Sequence, residues 1–182
     1  MEKIFYVDKT AYPSSQTAVL YILNKHFNVQ NAEIQTNEHG KPSLKNADEL
    51  SLHFSVTHSK THLFIAFSDK NVGIDAERTD RSVFYDTIVK KFHVEEFNNV
   101  RSVFDFLKYW TIKESTVKYL GGTLAQELYK ISYRKGNVYY GDTSLPVILT
   151  QKEFGEHILS IVAERDFSNA EILTIDGLKS DL

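Results

Sequence analysis

Acidic residues in two separate segments of the chain have spacings that could hold a cation. In residues 72–77, VGIDAE, Asp75 and Glu77 lie two positions apart, so on an extended strand both side chains point to the same side. Carboxylates held side by side repel each other, and a nearby cation relieves that repulsion. The pair is compatible with a cation site, but taken alone such a pair is usually a solvated strand end, so it needs a further carboxylate to indicate a site.

The second segment carries Trp110, Glu114 and Lys118 at i, i+4 and i+8, which on an α-helix form one stripe. Glu114 could be only the helical ion-pair partner of Lys118. A Trp on the stripe, however, normally faces a core, and a carboxylate beside it is partly desolvated and needs a counter-charge. We therefore expect Trp110 to anchor the helix. Lys113 lies about 100° away around the helix, and we expect it either to hold the helix in position or to belong to a surface that faces a partner.

Three carboxylates from a strand and a helix, in a chain without cysteine, suit a hard cation such as Mg²⁺. Mg²⁺ completes its coordination with water and phosphate oxygens, so a phosphate-bearing substrate is expected. Residues 54–59, FSVTHS, place Thr57 and His58 at a strand end, where both can donate to phosphate. A surface turn is the alternative. His58 and His62 have the spacing of a zinc pair, but the segment is not helical and no third ligand follows.

The elements that must position these residues alternate between strand and helix patterns, which predicts an α+β fold. A helix is predicted from residue 14 with Leu20, Leu23 and Phe27 on one face, and a second over 84–92. A third, over 102–120, has a capping box of Ser102 and Asp105 and a stop at 121–122. Strands are predicted at 3–7, 33–36, 54–58, 63–67, 71–77, 157–163 and 171–175, with further β pattern from residue 129.

One internal echo bears on the architecture. Residues 62–66 lead to Gly-Ile-Asp at 73–75, and residues 157–163 lead to Thr-Ile-Asp at 174–176. A duplication would give two pseudo-symmetric α+β lobes, each a small, mainly antiparallel sheet packed on helices, with the active site in the cleft between them. Chance would explain so short an echo equally simply. We place an N-terminal lobe at 1–70 and a C-terminal lobe at 71–182.

Length and composition bound these expectations. The 182 residues, of which 42% are apolar, suffice for one large domain or two small lobes sharing a core. A net charge of −3 argues against wrapping nucleic acid by bulk electrostatics. The start lacks the apolar core of a signal peptide, and no run reaches the length of a membrane span. A cytoplasmic protein without nucleic-acid or membrane partners is expected.

Four motifs occur in order: GKP at 40–42, FSVTHS at 54–59, VGIDAE at 72–77, and WTIKES at 110–115 with Lys118. Together they resemble the 4'-phosphopantetheinyl transferases, specifically their larger, surfactin-synthetase-activating type. The resemblance spans residues 40–122, and the last two motifs are its most specific part. It implies Mg²⁺-dependent transfer of 4'-phosphopantetheine from coenzyme A to a serine of an apo acyl or peptidyl carrier protein, releasing adenosine 3',5'-bisphosphate. It also implies a monomer of two pseudo-symmetric lobes.

The resemblance implies a role for each matching position. It makes Asp75, Glu77 and Glu114 the Mg²⁺ ligands, Lys118 a catalytic lysine that contacts phosphate, and Lys41, Thr57 and His58 contacts to coenzyme A, with His58 at the 3'-phosphate. The family also has basic contacts near its N-terminus. Before Gly40 this chain offers only Lys3, Lys9 and Lys25, none of them in a recognisable motif.

The general base is assigned more loosely. Residues 92–97, FHVEEF, align with a family segment that carries a Glu in this role, which favours Glu96 over Glu95. A metal-bound water is an alternative base, and a Glu that stabilises the first turn of a helix would give the same sequence. From residue 90 to 118 six cations, Lys113 among them, accompany four acids, which predicts a basic face for an acidic carrier.

Two other functions are compatible with these residues. One is a non-catalytic module of the same fold that binds coenzyme A or a carrier protein, although such a module has no need of three carboxylates facing a pyrophosphate. The other is a Mg²⁺-dependent phosphohydrolase, in which water replaces the carrier serine.

Overall fold

The structure, a computed structural model, describes residues 1–175 and has a mixed α+β architecture. Its strands are β1 (Lys3–Asp8), β2 (Ile34–Thr36), β3 (Pro42–Leu44), β4 (His53–His58), β5 (His62–Ser68), β6 (Val72–Arg78), β7 (Ile131–Arg134), β8 (Asn137–Tyr140), β9 (Thr143–Ser144), β10 (Ile148–Phe154), β11 (His157–Ala163) and β12 (Ile172–Ile175). Its α-helices are α1 (Ser15–Phe27), α2 (Ala47–Leu50), α3 (Asp86–Val89), α4 (Val94–Asn99), α5 (Val103–Leu120) and α6 (Leu124–Glu127), and a 3₁₀ turn covers Lys9–Ala11.

Two main sheets form the centre of the molecule. The first sheet has the strand order β12-β1-β5-β4 and the second has the order β10-β11-β6. All pairings in these sheets are antiparallel except that of β12 with β1, which is parallel. The chain changes sheet twice: β6 follows β5 but pairs with β11, and β12 follows β11 but pairs with β1. Two small sheets, β2-β3 and β7-β8-β9, complete the strands.

Burial on both faces explains the apolar central strands. On β5, Ile65 and Phe67 pack with α1 while Phe64 and Ala66 pack against the second sheet. On β11 every residue is buried. Its Leu159 and Ile161 face the first sheet, and Val162 packs with residues of α5. The order of layers is therefore α1, first sheet, second sheet, α5.

The long helix α5 begins and ends where its caps predict. The Ser102 hydroxyl accepts from the Asp105 backbone N–H at 3.1 Å, and the Asp105 carboxylate accepts from the Ser102 hydroxyl at 2.9 Å. Gly121 ends the helix with a φ of 75°, the left-handed conformation that glycine adopts without strain. The strands predicted at 3–7, 54–58, 63–67, 71–77 and 157–163 are present with small changes of boundary.

Two helix predictions need correction. In α1 the buried side chains are Ala18, Val19, Ile22 and Leu23, and Leu20 is 39% exposed, so the predicted apolar face was rotated. The helix predicted over 84–92 is wrong beyond α3. Successive i→i+3 hydrogen bonds from the N–H groups of residues 91 and 92 tighten the chain there, which ends the helix.

The division into lobes at residue 70 stays a prediction. Residues 1–68 supply three strands of the first sheet, and the fourth, β12, comes from 172–175. Position 176, which ends the second half of the Ile-Asp echo, lies outside the described residues. None of the helices in residues 1–175 combines the length and apolarity needed to span a bilayer.

Candidate active site

A glycine brings the strand β6 and the helix α5 into direct backbone contact. A Cβ at Gly73 would lie 2.0 Å from the Ser115 carbonyl oxygen and 2.5 Å from the Tyr119 nitrogen, so only a hydrogen atom fits. Because of this approach, the Lys118 ammonium reaches β6. It donates to the Ile74 carbonyl at 3.0 Å and to Asp75 Oδ1 at 2.8 Å. A glycine inside a strand is the sequence signal that indicates such a contact.

Asp75 is held in a nearly closed environment, with 6% of its surface exposed. Its Oδ1 accepts from Lys118 and also from the Thr57 hydroxyl at 2.8 Å. Its Oδ2 is buried and has no hydrogen-bond partner among residues 1–175. A buried carboxylate oxygen without a donor is unfavourable, so this oxygen is available for a cation.

Glu114 lies one turn before Lys118 on α5, in the field of the other carboxylates. Burial first, and the negative charges of Asp75 and Glu77 after it, raise the pKa of Glu114 to about 7, against the opposing effect of Lys118. Near neutral pH this carboxyl group is therefore only partly ionised when no cation is bound. A divalent cation would remove the repulsion and favour the ionised form.

Glu77 is turned towards another partner. Its Oε2 accepts from Arg81 Nη1 at 2.5 Å. Consistent with this, no three His, Asp or Glu side chains within residues 1–175 form a ready-made metal cage. The donor set nevertheless fits Mg²⁺, because it consists of carboxylate oxygens and includes the unpartnered Oδ2 of Asp75. To join Asp75 and Glu114 as a ligand, Glu77 would have to exchange Arg81 for the cation.

Two cavities lie next to this cluster, one reaching Lys118 and the other Glu77, and His58 lines both of them. The first, which we call the Lys41 cavity, has a volume of about 360 Å³ and is also lined by Lys41 and Lys118. The second, of about 560 Å³, is lined by Glu77, Arg81 and other residues of the β4–β5 and β6 ends. The structure thus brings three of the predicted binding residues, Lys41, His58 and Lys118, to one cavity.

Thr57 and His62 lie elsewhere. The Thr57 side chain is 3% exposed and its hydroxyl donates to Asp75. Thr57 therefore orients a carboxylate and does not line the Lys41 cavity. His62 stacks on the Tyr6 ring at 4.1 Å and its Nδ1 bonds the Thr61 hydroxyl. The zinc alternative for His58 and His62 therefore has no support.

Lys41 lines the Lys41 cavity and also contacts the C-terminal end of α5. Its ammonium donates to Asn71 Oδ1 at 3.1 Å and to the Tyr119 carbonyl at 3.4 Å. Asn37, in the same loop, donates to the Gly121 carbonyl at 2.9 Å and accepts from the Lys41 N–H. Burial lowers the pKa of Lys41 to about 8, so a bound anion would stabilise its charged form.

Lys113 and Glu96 form an ion pair of 2.8 Å in which both side chains are fully buried. Glu96 also accepts from the backbone N–H groups of His93 at 3.0 Å and Tyr133 at 2.8 Å, and Lys113 donates to the Ile131 carbonyl. Lys113 thus holds α5 against α4 and β7 and takes no part in the predicted basic face. Burial lowers the pKa of Lys113, and Glu96 acts in the opposite direction.

For Glu96 the geometry favours the helix-start alternative over the general base. Together with His93 it completes the capping box of α4. Its carboxylate already accepts three hydrogen bonds in a closed environment, so no side of it is open to a substrate hydroxyl. Trp110, by contrast, behaves as expected: it is half-buried and its ring stacks on Phe106 at 5.6 Å.

Comparison with known proteins defines the class. Residues 71–162, which carry the carboxylate cluster and Lys118, match the 4'-phosphopantetheinyl transferase superfamily. The match covers half of the chain, and the chain belongs to this superfamily.

Individual relatives agree with that assignment. The chain is 32% identical over 123 residues to 4'-phosphopantetheinyl transferase gsp of Aneurinibacillus migulanus, covering 62% of this chain and 50% of the relative. It is 25% identical over 121 residues to 4'-phosphopantetheinyl transferase Sfp of Bacillus subtilis, covering 62% and 53%. It is 26% identical over 141 residues to the L-aminoadipate-semialdehyde dehydrogenase-phosphopantetheinyl transferase of Candida glabrata, covering 70% and 54%. The chain spans about half the length of these curated relatives.

Proposed function

We propose that the protein transfers 4'-phosphopantetheine from coenzyme A to a serine of an apo acyl or peptidyl carrier protein, as a monomer in the cytoplasm. The observation that carries this proposal is the convergence of Asp75, Glu114 and Lys118 beside a cavity lined by Lys41 and His58. Membership of the superfamily supports the reaction type.

In this reaction the serine oxygen forms a bond to the phosphorus next to pantetheine, and the bond from that phosphorus to adenosine 3',5'-bisphosphate breaks. Asp75, Glu114 and, after release from Arg81, Glu77 would hold Mg²⁺. Bound there, Mg²⁺ supplies charge neutralisation on the pyrophosphate as the bond breaks.

The chain's own residues orient the donor. Lys118 is fixed by Asp75 and the Ile74 carbonyl, so its remaining N–H can donate to a phosphate oxygen without a search for geometry. Lys41 and His58 would bind the anionic groups further along coenzyme A. Because the Glu96 carboxylate is fully buried, we expect the group that accepts the serine proton to line one of the two cavities.

The decisive experiment incubates the protein with coenzyme A, Mg²⁺ and a panel of apo fatty-acid, polyketide and peptidyl carriers, read by intact mass. We expect at least one carrier to gain one phosphopantetheine group, only with both coenzyme A and a divalent ion. No gain across the panel would favour the binding module, and product release without a carrier would favour the hydrolase.

A second measurement tests the donor contacts. We expect His58→Ala to weaken the binding of coenzyme A, whereas dephospho-coenzyme A should bind the wild type and the variant alike. An equal penalty with both donors would remove His58 from the 3'-phosphate.

A further inference from the structure

The turn of residues 59–61, between β4 and β5, is held from two directions. On the side of the first sheet, the Ser59 N–H donates to the His62 carbonyl at 2.8 Å. The Lys9 backbone N–H donates to the Thr61 carbonyl at 3.0 Å, and the Lys9 ammonium donates to the Ser59 carbonyl at 3.3 Å. On the other side, the Ser59 hydroxyl lies 2.6 Å from Nε2 of His157, which belongs to β11 of the second sheet. The Ser59–His157 contact therefore joins the two sheets at this turn.

His157 lies in a buried and mostly aromatic environment. It is 6% exposed, with the rings of Phe64 and Tyr6 at 5.1 and 6.1 Å in edge-on contact. Burial lowers the pKa of His157, and the positive charge of Arg78 lowers it further. The imidazole is therefore mainly neutral at pH 7, so one ring nitrogen carries a proton and the other accepts, and the Ser59 hydroxyl can pair with Nε2 of either tautomer.

The residue before this turn is His58, which stands at the boundary between the two cavities. Partial burial lowers the pKa of His58, and the positive charges of Lys9 and Lys118 lower it further. His58 is exposed, so its own side chain supplies little packing to fix it. Its backbone pairs with Leu63 directly across the turn of residues 59–61, so the geometry of this turn bears on where the imidazole lies.

We propose that Ser59 and His157 are positioning residues, whose hydrogen bond holds the β4–β5 turn against the second sheet and so places His58 for the donor. The proposal rests on the proposed function in one respect: His58 is taken to contact coenzyme A. Neither residue touches the reacting atoms, so the effect is expected on donor binding and not on the chemical step.

The test compares Ser59→Ala, His157→Phe, His157→Gln and the double variant Ser59→Ala/His157→Phe with a matched control. The control is Thr61→Val, which removes another hydroxyl of the same turn, one whose hydrogen bond within residues 1–175 is to the neighbouring His62 at 2.7 Å. We expect Ser59→Ala and His157→Phe each to raise KM for coenzyme A about fivefold, the scale of one hydrogen bond, with kcat within about twofold. The double variant should be no worse than either single variant.

His157→Gln, whose amide can accept from Ser59, should recover most of the wild-type KM, and Thr61→Val should leave KM unchanged. An unchanged KM in Ser59→Ala, or an equal rise in Thr61→Val, would overturn the proposal. So would additive effects in the double variant.

A substrate-free measurement separates this inference from the proposed function. We would follow the His58 imidazole by NMR titration, assigning its signals with His58→Gln. Ser59→Ala should move the His58 pKa towards its ordinary value, and Thr61→Val should not. If the wild type neither binds coenzyme A nor transfers its phosphopantetheine group, the proposed function fails while this titration still decides whether the Ser59–His157 bond places His58. An unmoved titration in Ser59→Ala refutes the placement.

Discussion

The charge of the Glu114 carboxyl group depends on whether a cation is bound beside Asp75 and Glu77. Its folded pKa of about 7 is raised above the ordinary value of 4.5, so the protonated form is favoured by folding. The stabilisation is complete below about pH 4.5 and is lost as the pH rises through 7. We expect the metal-free wild type to lose up to about 3 kcal/mol relative to Glu114→Gln between pH 4.5 and 8.

Thermal unfolding of both proteins across that pH range, with and without Mg²⁺, measures this difference. Mg²⁺ should restore the wild type at pH 8 and leave Glu114→Gln unaffected. Turnover of Glu114→Gln at saturating Mg²⁺ should fall on the order of a hundredfold or more. Parallel pH curves together with near-normal turnover would reduce Glu114 to the helical ion-pair partner of Lys118.

Asp75 differs from Glu114 because it already holds two donors. Asp75→Asn should lower turnover on a similar scale, and Asp75→Asn/Glu114→Gln should lose little more than either single variant, since both act through one cation. Unlike Glu114→Gln, Asp75→Asn should also lower metal-free stability, because Lys118 would lose the carboxylate it contacts at 2.8 Å. Turnover and apo melting of the three variants check both statements, and multiplicative turnover losses would argue against a shared ion.

The buried pair of Lys113 and Glu96 is expected to matter for folding. Lys113→Met leaves a fully buried carboxylate without its counter-charge, which should cost about 3–5 kcal/mol of stability. Lys113→Met/Glu96→Gln should recover much of that loss and keep turnover within about tenfold of the wild type. Urea unfolding and turnover of the double variant provide the measurement. A folded double variant with turnover reduced on the order of a thousandfold would restore Glu96 as the general base.

At the scale of elements, the contact of β6 with α5 sets the geometry of the site. Gly73→Ala would place a methyl carbon against the backbone of Ser115 and Tyr119, and backbone cannot move aside as a side chain can. We expect α5 to shift outward, with a loss of Mg²⁺-dependent stabilisation and of turnover larger than the loss of stability alone explains. Gly155→Ala is the control, because it meets no atom within 4 Å and adds only strain at a φ of 55°. Equal losses in the two variants, measured by melting and turnover, would contradict this role.

The elements were predictable where their signals are local. The caps at Ser102 and Gly121 depend on neighbouring residues, and the apolar run of β5 reflects burial on both faces, so the sequence predicts both. The partners of the site residues were not predictable. Thr57 with Asp75, Glu77 with Arg81 and Ser59 with His157 meet through packing, and nothing in their spacing indicates it. The burial of Glu96 was not predictable for the same reason, since its alignment gives no sign of it.

At the scale of the whole molecule, the two changes of sheet are the feature that the sequence did not predict. An Ile-Asp echo suggested similarity between β5-β6 and β11-β12, but pairing partners far apart in the chain have no local signal. In the structure, β6 completes the second sheet and β12 completes the first. Each main sheet thus contains strands from both halves of the chain.

This arrangement has a consequence for any attempt to divide the chain. A cut between β6 and α3, at about residue 82, would separate β6 from its partner β11 and β12 from its partner β1. Each piece would then expose an unpaired strand edge that is open to aggregation. We therefore expect the two pieces to be insoluble when expressed singly and to assemble into one active complex when expressed together, in the manner of a split reporter. Recovery of a soluble, folded piece 1–82 alone, judged by circular dichroism, would show that the first sheet is self-sufficient.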